Sequence, residues 1–240
     1  MTTSRVAFVA GATGYTGRAV VRLLAASGVR AFAHIRPDSS RLSEWKAAFS
    51  AMGADVCDAA WSGPAMGEAI RALGVTEVYG LVGTTHKRAR TIARSGGDAR
   101  AASHDAVDFG LTKHLVDACV AAGTRPWLVY LSSLGASPSA RGSYLRARGR
   151  AEEAVRASEL PWTMVRASFI TGPDRAEARH AERFGAAFGD GLLAVAAAFG
   201  GKRLRARYGS IMAEALAEFL IAVPTHPERE CQLLTLDAWR

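Results

Sequence analysis

The sequence predicts an α/β protein built on a doubly wound parallel sheet. Six apolar, β-rich runs alternate with helical patterns along most of the chain, as is typical of parallel strands joined by helical crossovers. The first run, at residues 6–10, passes directly into a glycine-rich stretch at residues 11–17 and then into a helical pattern. The 240 residues are 49% hydrophobic and 22% charged, which suits one large core.

The predicted elements alternate in order. Strands are expected at residues 6–10, 30–35, 54–57, 77–82, 127–132 and 162–167. Helices are expected between them, at residues 16–27, 40–52, 64–73, 103–122 and 143–158. Because crossovers between parallel strands are right-handed, helices cover both faces of the sheet and ligands bind at the carboxyl ends of its strands. Functional side chains are therefore expected immediately after strands.

The pattern changes after residue 171. Residues 172–240 begin with polar, arginine-rich and alanine-rich stretches, followed by a predicted helix at residues 210–223 and a last strand at residues 232–236. This tail is too small for an independent core. We interpret residues 1–171 as the core of a single domain and residues 172–240 as a small C-terminal cap on its ligand edge.

The chain is basic, with a net charge of +8 and an isoelectric point near 9.9. Its arginines are scattered, and only residues 87–94 and 202–207 form clusters. Solvated faces are the favoured interpretation, an anionic ligand the second and nucleic acid the third. We expect a small-molecule substrate and no nucleic-acid partner.

The three cysteines, Cys57, Cys119 and Cys231, are far apart and lie in apolar segments. This pattern predicts buried reduced thiols and neither a disulfide framework nor a metal site. The first residues lack the pattern of a signal peptide, and the longest apolar run, residues 191–201, is too short to span a bilayer. We expect a cytoplasmic protein with no membrane contact.

The glycine-rich stretch predicts dinucleotide binding. Glycines between a strand and a helix permit a tight turn, let a pyrophosphate approach the backbone and allow close helix–strand packing. The helix N-terminus then directs its free N–H groups at the phosphates. The alternative is a tight turn without a ligand. The predicted cofactor contacts are Gly11, Thr13, Gly14, Tyr15, Thr16 and Gly17.

The end of the second strand indicates which dinucleotide is bound. An acidic residue about 20 positions after the glycines suits the ribose of NAD, whereas an arginine suits the 2′-phosphate of NADP. Arg36 takes this place, and Arg41, Ser39 and Ser40 offer further donors. NADP(H) is therefore favoured. The alternatives are that Asp38 binds the ribose while Arg36 is solvated, or that Asp38 caps the next helix.

A tyrosine and an arginine are spaced to share one face of a predicted helix. Tyr144 and Arg148 are four residues apart and follow Ser132 and Ser133 at the end of the fifth strand. A nearby cation lowers the pKa of a tyrosine from its usual value of about 10, so that the phenol can exchange a proton with a substrate oxygen. A serine hydroxyl can hold the same oxygen. The alternatives are a solvated tyrosine–arginine pair and ordinary strand-end hydroxyls.

Together these segments resemble the atypical short-chain dehydrogenases, and within them the Tat-interacting-protein-like and NmrA-like NAD(P)H-binding group. The resemblance spans residues 5–172, and its matching positions are residues 11–17, 36, 82–85, 108, 131–136, 144, 152 and 162–167. It implies a Rossmann fold of the short-chain dehydrogenase type that binds NADP(H). The motifs are specific for the fold and the cofactor, and less so for the reaction.

The resemblance also implies roles for individual residues. Tyr144 is implied as the proton donor or acceptor, partnered by a serine at the end of the fifth strand. Gly83 and Thr84 are implied to line the cofactor, and Asp58 to reach the adenine. Alternatives are that Asp58 caps a turn and that Thr84 is an ordinary loop residue. Because relatives often pair through their long helices, a homodimer is a further expectation.

One position departs from the family pattern. Members that catalyse reduction usually carry a lysine four residues after the tyrosine, where this chain has Arg148. Arginine keeps the charge, but it cannot be deprotonated and its planar fork would contact ribose hydroxyls differently. The sequence favours an NADP(H)-dependent oxidoreductase acting on a small carbonyl or enone. A redox-sensing NADP(H)-binding protein is the first alternative, and an isomerase or epimerase the second.

Overall fold

The computed structural model describes residues 4–83, 103–168, 170–171 and 211–239. The strands in these ranges are β1 (Val6–Ala10), β2 (Arg30–His34), β3 (Asp55–Cys57), β4 (Glu77–Gly80), β5 (Trp127–Ser133), β6 (Trp162–Ala167), β7 (Ile170–Thr171), β8 (Ile211–Met212) and β9 (Gln232–Thr235). The α-helices are α1 (Tyr15–Ala26), α2 (Leu42–Ala51), α3 (Gly63–Ala72), α4 (Thr112–Ala122), α5 (Ser143–Arg156) and α6 (Ala213–Ala222). Thr84 and both basic clusters lie outside the described residues.

Within the described residues, seven strands form one sheet in the order β3-β2-β1-β4-β5-β6-β9. Every neighbouring pair is parallel; Phe8 of β1, for example, lies between Phe32 of β2 and Val78 of β4. The chain moves outward from β1 to β3 and then returns to β4 on the other side of β1. The crevice at the carboxyl ends of β1 and β4 is therefore the topological switch point, where ligands bind in such sheets. The predicted doubly wound parallel sheet is confirmed.

Helices cover both faces of this sheet. Ala7 and Val9 of β1 belong to the core under α1, α2 and α6, whereas Phe8 and Ala10 belong to the core under α3, α4 and α5. All four side chains are fully buried. Burial on both faces explains why the strands appear in the sequence as nearly continuous apolar runs.

The described part of the predicted cap joins the sheet. The predicted last strand is present as β9, which pairs with β6 so that Leu234 lies beside Val165. The predicted helix is present as α6, which packs on α1 and buries Leu216, Phe219 and Leu220. Both elements bury apolar surface that an isolated cap of this size would leave exposed. The core thus extends beyond residue 171, and the remainder of the predicted cap lies outside the described residues.

The long helix predicted at residues 103–122 begins with a wider turn. Asp105–Leu111 is π-helical and leads directly into α4, which ends at Gly123 in a left-handed conformation. The Thr112 hydroxyl donates to the Asp108 carbonyl across this junction, at 2.8 Å. Such turns occur frequently at functional sites. This turn carries the Asp108 side chain into the interior, where it is fully buried.

Candidate active site

The glycine loop between β1 and α1 is pressed against neighbouring backbone. Gly11 has a φ of 87°, and a Cβ atom on it would lie 2.7 Å from the Leu81 carbonyl oxygen beyond β4. A Cβ atom on Gly17 would overlap the backbone of Gly11 and Ala12. Only glycine fits either place, so the chain turns tightly while α1 stays close to β1.

The N-terminus of α1 opens at the switch point. Gly14 is its N-cap, with φ −71° and ψ 167°, no side-chain cap and no acidic residue in the first turn. Thr16 is buried there, and Thr13 and Tyr15 are half-buried. A helix end of this kind attracts an anion through its free N–H groups and its positive dipole end. The loop and the helix end together fit the pyrophosphate of a dinucleotide.

Arg36 lies on the surface just beyond β2. Its Nη1 is 3.0 Å from Oδ2 of Asp38, and the two side chains are 40% and 70% exposed. Such a pair contributes little stability, so either partner can turn to a ligand. Arg41 forms an ion pair with Glu44 and stacks on Trp45, with its Cζ 4.7 Å from the ring centroid. Arg36 and Asp38 both lie just beyond β2, where the ribose of a dinucleotide is predicted, and the choice between them stays a prediction.

Asp58 and His34 lie beside the loop that follows β3. Asp58 forms an exposed ion pair with Nζ of Lys46 at 2.7 Å, and this pairing lowers the pKa of its carboxyl group. His34 is buried, with Nε2 2.9 Å from the Ala59 carbonyl oxygen and its ring edge-on to Trp61. Burial lowers the pKa of His34, which favours a neutral imidazole whose Nε2–H donates to that carbonyl.

Arg148 is buried beneath the end of β4. Its Nη1 donates to the Tyr130 hydroxyl at 3.1 Å and to the Leu131 carbonyl at 2.9 Å. Its Nη2 lies 3.0 Å from Oδ1 of Asp108. Burial opposes the charged guanidinium, but its polar surroundings outweigh that effect and raise the pKa of Arg148. A Cβ atom on Gly83 would lie 2.6 Å from Nη2, so the guanidinium lies directly against the segment after β4.

Tyr144 lies between this guanidinium and a histidine. The Cζ of Arg148 is 5.4 Å from the Tyr144 ring centroid, and the His104 ring is edge-on to Tyr144 at 5.2 Å. Nδ1 of His104 is 2.8 Å from Oδ2 of Asp108. His104 is not among the residues predicted from the sequence, although its spacing of four residues from Asp108 on a predicted helix would place both on one face.

The two serines at the end of β5 have different surroundings. The Ser132 hydroxyl donates to the buried carboxylate of Glu152 at 2.6 Å, and Arg166 binds the same carboxylate at 2.8 and 2.7 Å. Ser132 therefore belongs to a network that joins β5, α5 and β6. Within the described residues, the half-buried Ser133 hydroxyl makes one long bond, of 3.5 Å, to the Leu134 carbonyl, so it is the better placed of the two for a ligand.

The cysteines are free thiols, as predicted, but not all of them are buried. Cys119 is buried, which raises its pKa to about 12, and Cys57 is half-buried. Cys231 is exposed because it lies in the turn before β9, with a φ of 55°. In the part of the chain that the structure describes, no cluster of side chains could hold a metal ion, and no helix has the length and apolarity to cross a membrane.

Comparison with known proteins agrees with this geometry. A family model described as NAD(P)H-binding matches residues 11–227. The chain belongs to this NAD(P)H-binding family. None of the curated proteins compared with the sequence matches it.

Solved structures show the same fold at low sequence identity. A Bacillus halodurans protein assigned to the NAD-dependent epimerases/dehydratases is 16% identical, with a TM-score of 0.65 over 95% of this chain and 92% of that one. A short-chain dehydrogenase/reductase from Serratia marcescens is 16% identical, with a TM-score of 0.59 over 97% and 96% of the two chains. UDP-N-acetylglucosamine 4-epimerase from Bacillus cereus is 15% identical, with a TM-score of 0.58 over 97% and 79%. The family and the fold agree with the resemblance to the atypical short-chain dehydrogenases.

Proposed function

We propose that this protein is an NADP(H)-dependent oxidoreductase of the atypical short-chain dehydrogenase type, acting on a small carbonyl or enone. The observation that carries the proposal is the stack of Arg148 on Tyr144, at 5.4 Å, beside Gly83 at the switch point. When bound, the nicotinamide supplies the hydride. Tyr144 gives the substrate oxygen its proton, and the Ser133 hydroxyl holds that oxygen.

The preference for NADP(H) is the first expected outcome. Arg36→Ala removes the cation that would face the 2′-phosphate, and a charge-assisted contact contributes about 1.5–3 kcal/mol. The variant should therefore lose about tenfold or more in NADPH affinity and keep its NADH affinity. Parallel titrations with NADPH, NADP⁺, NADH and NAD⁺ measure this.

Arg30→Ala is the matched control, because Arg30 pairs with Asp55 at the opposite end of β2. It should leave all four affinities unchanged. Equal loss of NADPH and NADH affinity in Arg36→Ala would contradict the assignment of Arg36 to the 2′-phosphate. Failure of every nucleotide to bind would remove the proposed function itself.

Tyr144→Phe is expected to separate binding from chemistry. The variant lacks the phenolic proton, and general acid catalysis contributes about 10²–10⁴-fold. Turnover in a screen of small aldehydes, ketones, quinones and enones should fall by about that factor, while the NADPH dissociation constant stays the same. Arg146→Ala, on the exposed side of α5, is the control. A fully active Tyr144→Phe enzyme would exclude this mechanism.

A redox-sensing NADP(H)-binding protein of the NmrA-like type is the second candidate. The observation that favours it is that Nη1 and Nη2 of Arg148 are already engaged by Tyr130, Leu131 and Asp108. In that case NADPH and NADP⁺ should bind with different affinities, and no carbonyl should be reduced. Affinity capture should recover a protein partner in the presence of either NADPH or NADP⁺, but not of both.

A further inference from the structure

His104 and Asp108 form a dyad beside Tyr144 that the proposed chemistry leaves unused. Nδ1 of His104 lies 2.8 Å from Oδ2 of Asp108, whose side chain is fully buried, while the histidine side chain is 31% exposed. An ionised carboxylate only accepts hydrogen bonds, so Nδ1 must carry a hydrogen. In the neutral imidazole the lone pair then resides on Nε2.

Arg148 fixes this dyad but cannot exchange protons itself. Its Nη2 binds the other carboxylate oxygen of Asp108 at 3.0 Å, and the guanidinium stays charged at every physiological pH. A lysine ammonium at this position could release a proton, whereas arginine cannot. Of the described side chains whose rings or cations contact the Tyr144 ring, His104 is the one imidazole, the side-chain type that most often acts as a general acid or base.

We propose that His104, oriented by Asp108, is the proton-exchange group of this site and restores the proton that Tyr144 gives to the substrate. This inference rests on the proposed function. In the reducing direction the Tyr144 O–H bond breaks, its proton joins the substrate oxygen and a phenolate remains. The Nε2–H of the His104 imidazolium gives its proton to that phenolate through one water. The neutral imidazole, still held by Asp108 at Nδ1, then takes a proton from water at Nε2.

The charged groups around His104 support this role. From its own segment it faces the buried carboxylate of Asp108, and Asp105 follows it in the chain. From α5 it faces Tyr144, with Arg148 on the far side of Asp108. Arg150 of α5 forms an ion pair with Asp105 and stacks on Phe109 at 3.9 Å. The partial exposure of His104 gives its imidazole a route to water.

Nuclear magnetic resonance tests the coupling without a substrate. The protein, which contains five tyrosines, is labelled with ¹³C at the tyrosine Cζ and the histidine Cε1, and Tyr144→Phe and His104→Gln assign the two signals. Both are followed between about pH 5 and 9, with and without NADPH. The Tyr144 signal is expected to show an inflection at the same pH as the His104 signal. This inflection should vanish in His104→Gln and persist in His114→Gln, a matched control at an exposed histidine of α4.

His104→Phe keeps an aromatic ring against Tyr144 but has no ring nitrogen to carry an exchangeable proton. It should therefore behave as His104→Gln does. With a reducible carbonyl, the wild type should lose turnover as the pH rises through the inflection measured for the His104 signal. His104→Gln should be about tenfold slower or more, with that dependence lost. The inference is overturned if the Tyr144 signal has no inflection at the pH of the His104 inflection. It is also overturned if the Tyr144 inflection remains in His104→Gln. Failure of the proposed function is distinguishable, because the wild type then binds no nucleotide in calorimetry or binds it and reduces no carbonyl, whether or not the two signals are coupled.

Discussion

Arg148 has hydrogen-bond acceptors on two sides and an aromatic ring on a third. Tyr130 and Leu131 come from β5, Asp108 from the π-helical segment and Tyr144 from the preceding turn of α5. A lysine ammonium could not reach the two β5 oxygens and the carboxylate in one planar arrangement. The replacement of the family lysine therefore ties the candidate site to the core that supports it.

Arg148→Met is expected to destabilise the protein strongly at pH 7. It removes one partner of a buried ion pair and leaves the Asp108 carboxylate without its cation, a change that costs about 3–5 kcal/mol. The free energy of unfolding in urea measures the loss. Arg146→Met, two residues earlier on the exposed side of α5, should change it little. Equal stability of the two variants would show that the pair does not support the fold.

At the scale of elements, the end of β2 is joined to the loop after β3 through one side chain. His34 is 3% exposed, donates to the Ala59 carbonyl and packs between Phe8 and Trp61. Because the ring is buried beside an acceptor, the neutral form is favoured and the pKa of His34 is lowered. These two chain segments carry Arg36 and Asp58, the residues predicted to contact the ribose and adenine ends of a nucleotide.

This histidine gives the fold a predictable dependence on pH. The unfolded chain takes up a proton at His34 as the pH falls through about 6.5, whereas the folded protein resists it. The contribution of His34 to the free energy of unfolding is therefore constant above about pH 6.5. It is lost as the pH falls from there toward the lowered pKa of the folded state. His34→Gln cannot titrate and should flatten the slope between pH 7 and 5 in urea unfolding. His114→Gln should keep the slope of the wild type, and an unchanged slope in His34→Gln would show that burial does not suppress protonation.

At the scale of the whole molecule, the chain returns to its own core after the undescribed residues 172–210. Thr163 links three strands, since its hydroxyl accepts from Nε1 of Trp127 at 3.0 Å and donates to the Arg229 carbonyl just before β9 at 2.6 Å. Just before β1, Arg5 binds Glu77 of β4 and the Ile221 carbonyl near the end of α6. The end of the chain is thus held to both halves of the sheet.

The sequence by itself determined the doubly wound sheet, the glycine loop at its switch point and the shared helix face of Tyr144 and Arg148. Each of these rests on short-range information: strand and helix periodicity, glycines that permit close backbone contact, and a spacing of four residues.

The tertiary structure alone decided which groups meet around those features. Asp108, Tyr130 and Leu131 lie 40, 18 and 17 residues before Arg148 in the chain, and the pairing of β9 with β6 spans an even longer separation. No local pattern specifies such contacts, because they depend on strand order and on how helices cross the sheet. The assignment of Ser132 to the Glu152 network was decided in the same way.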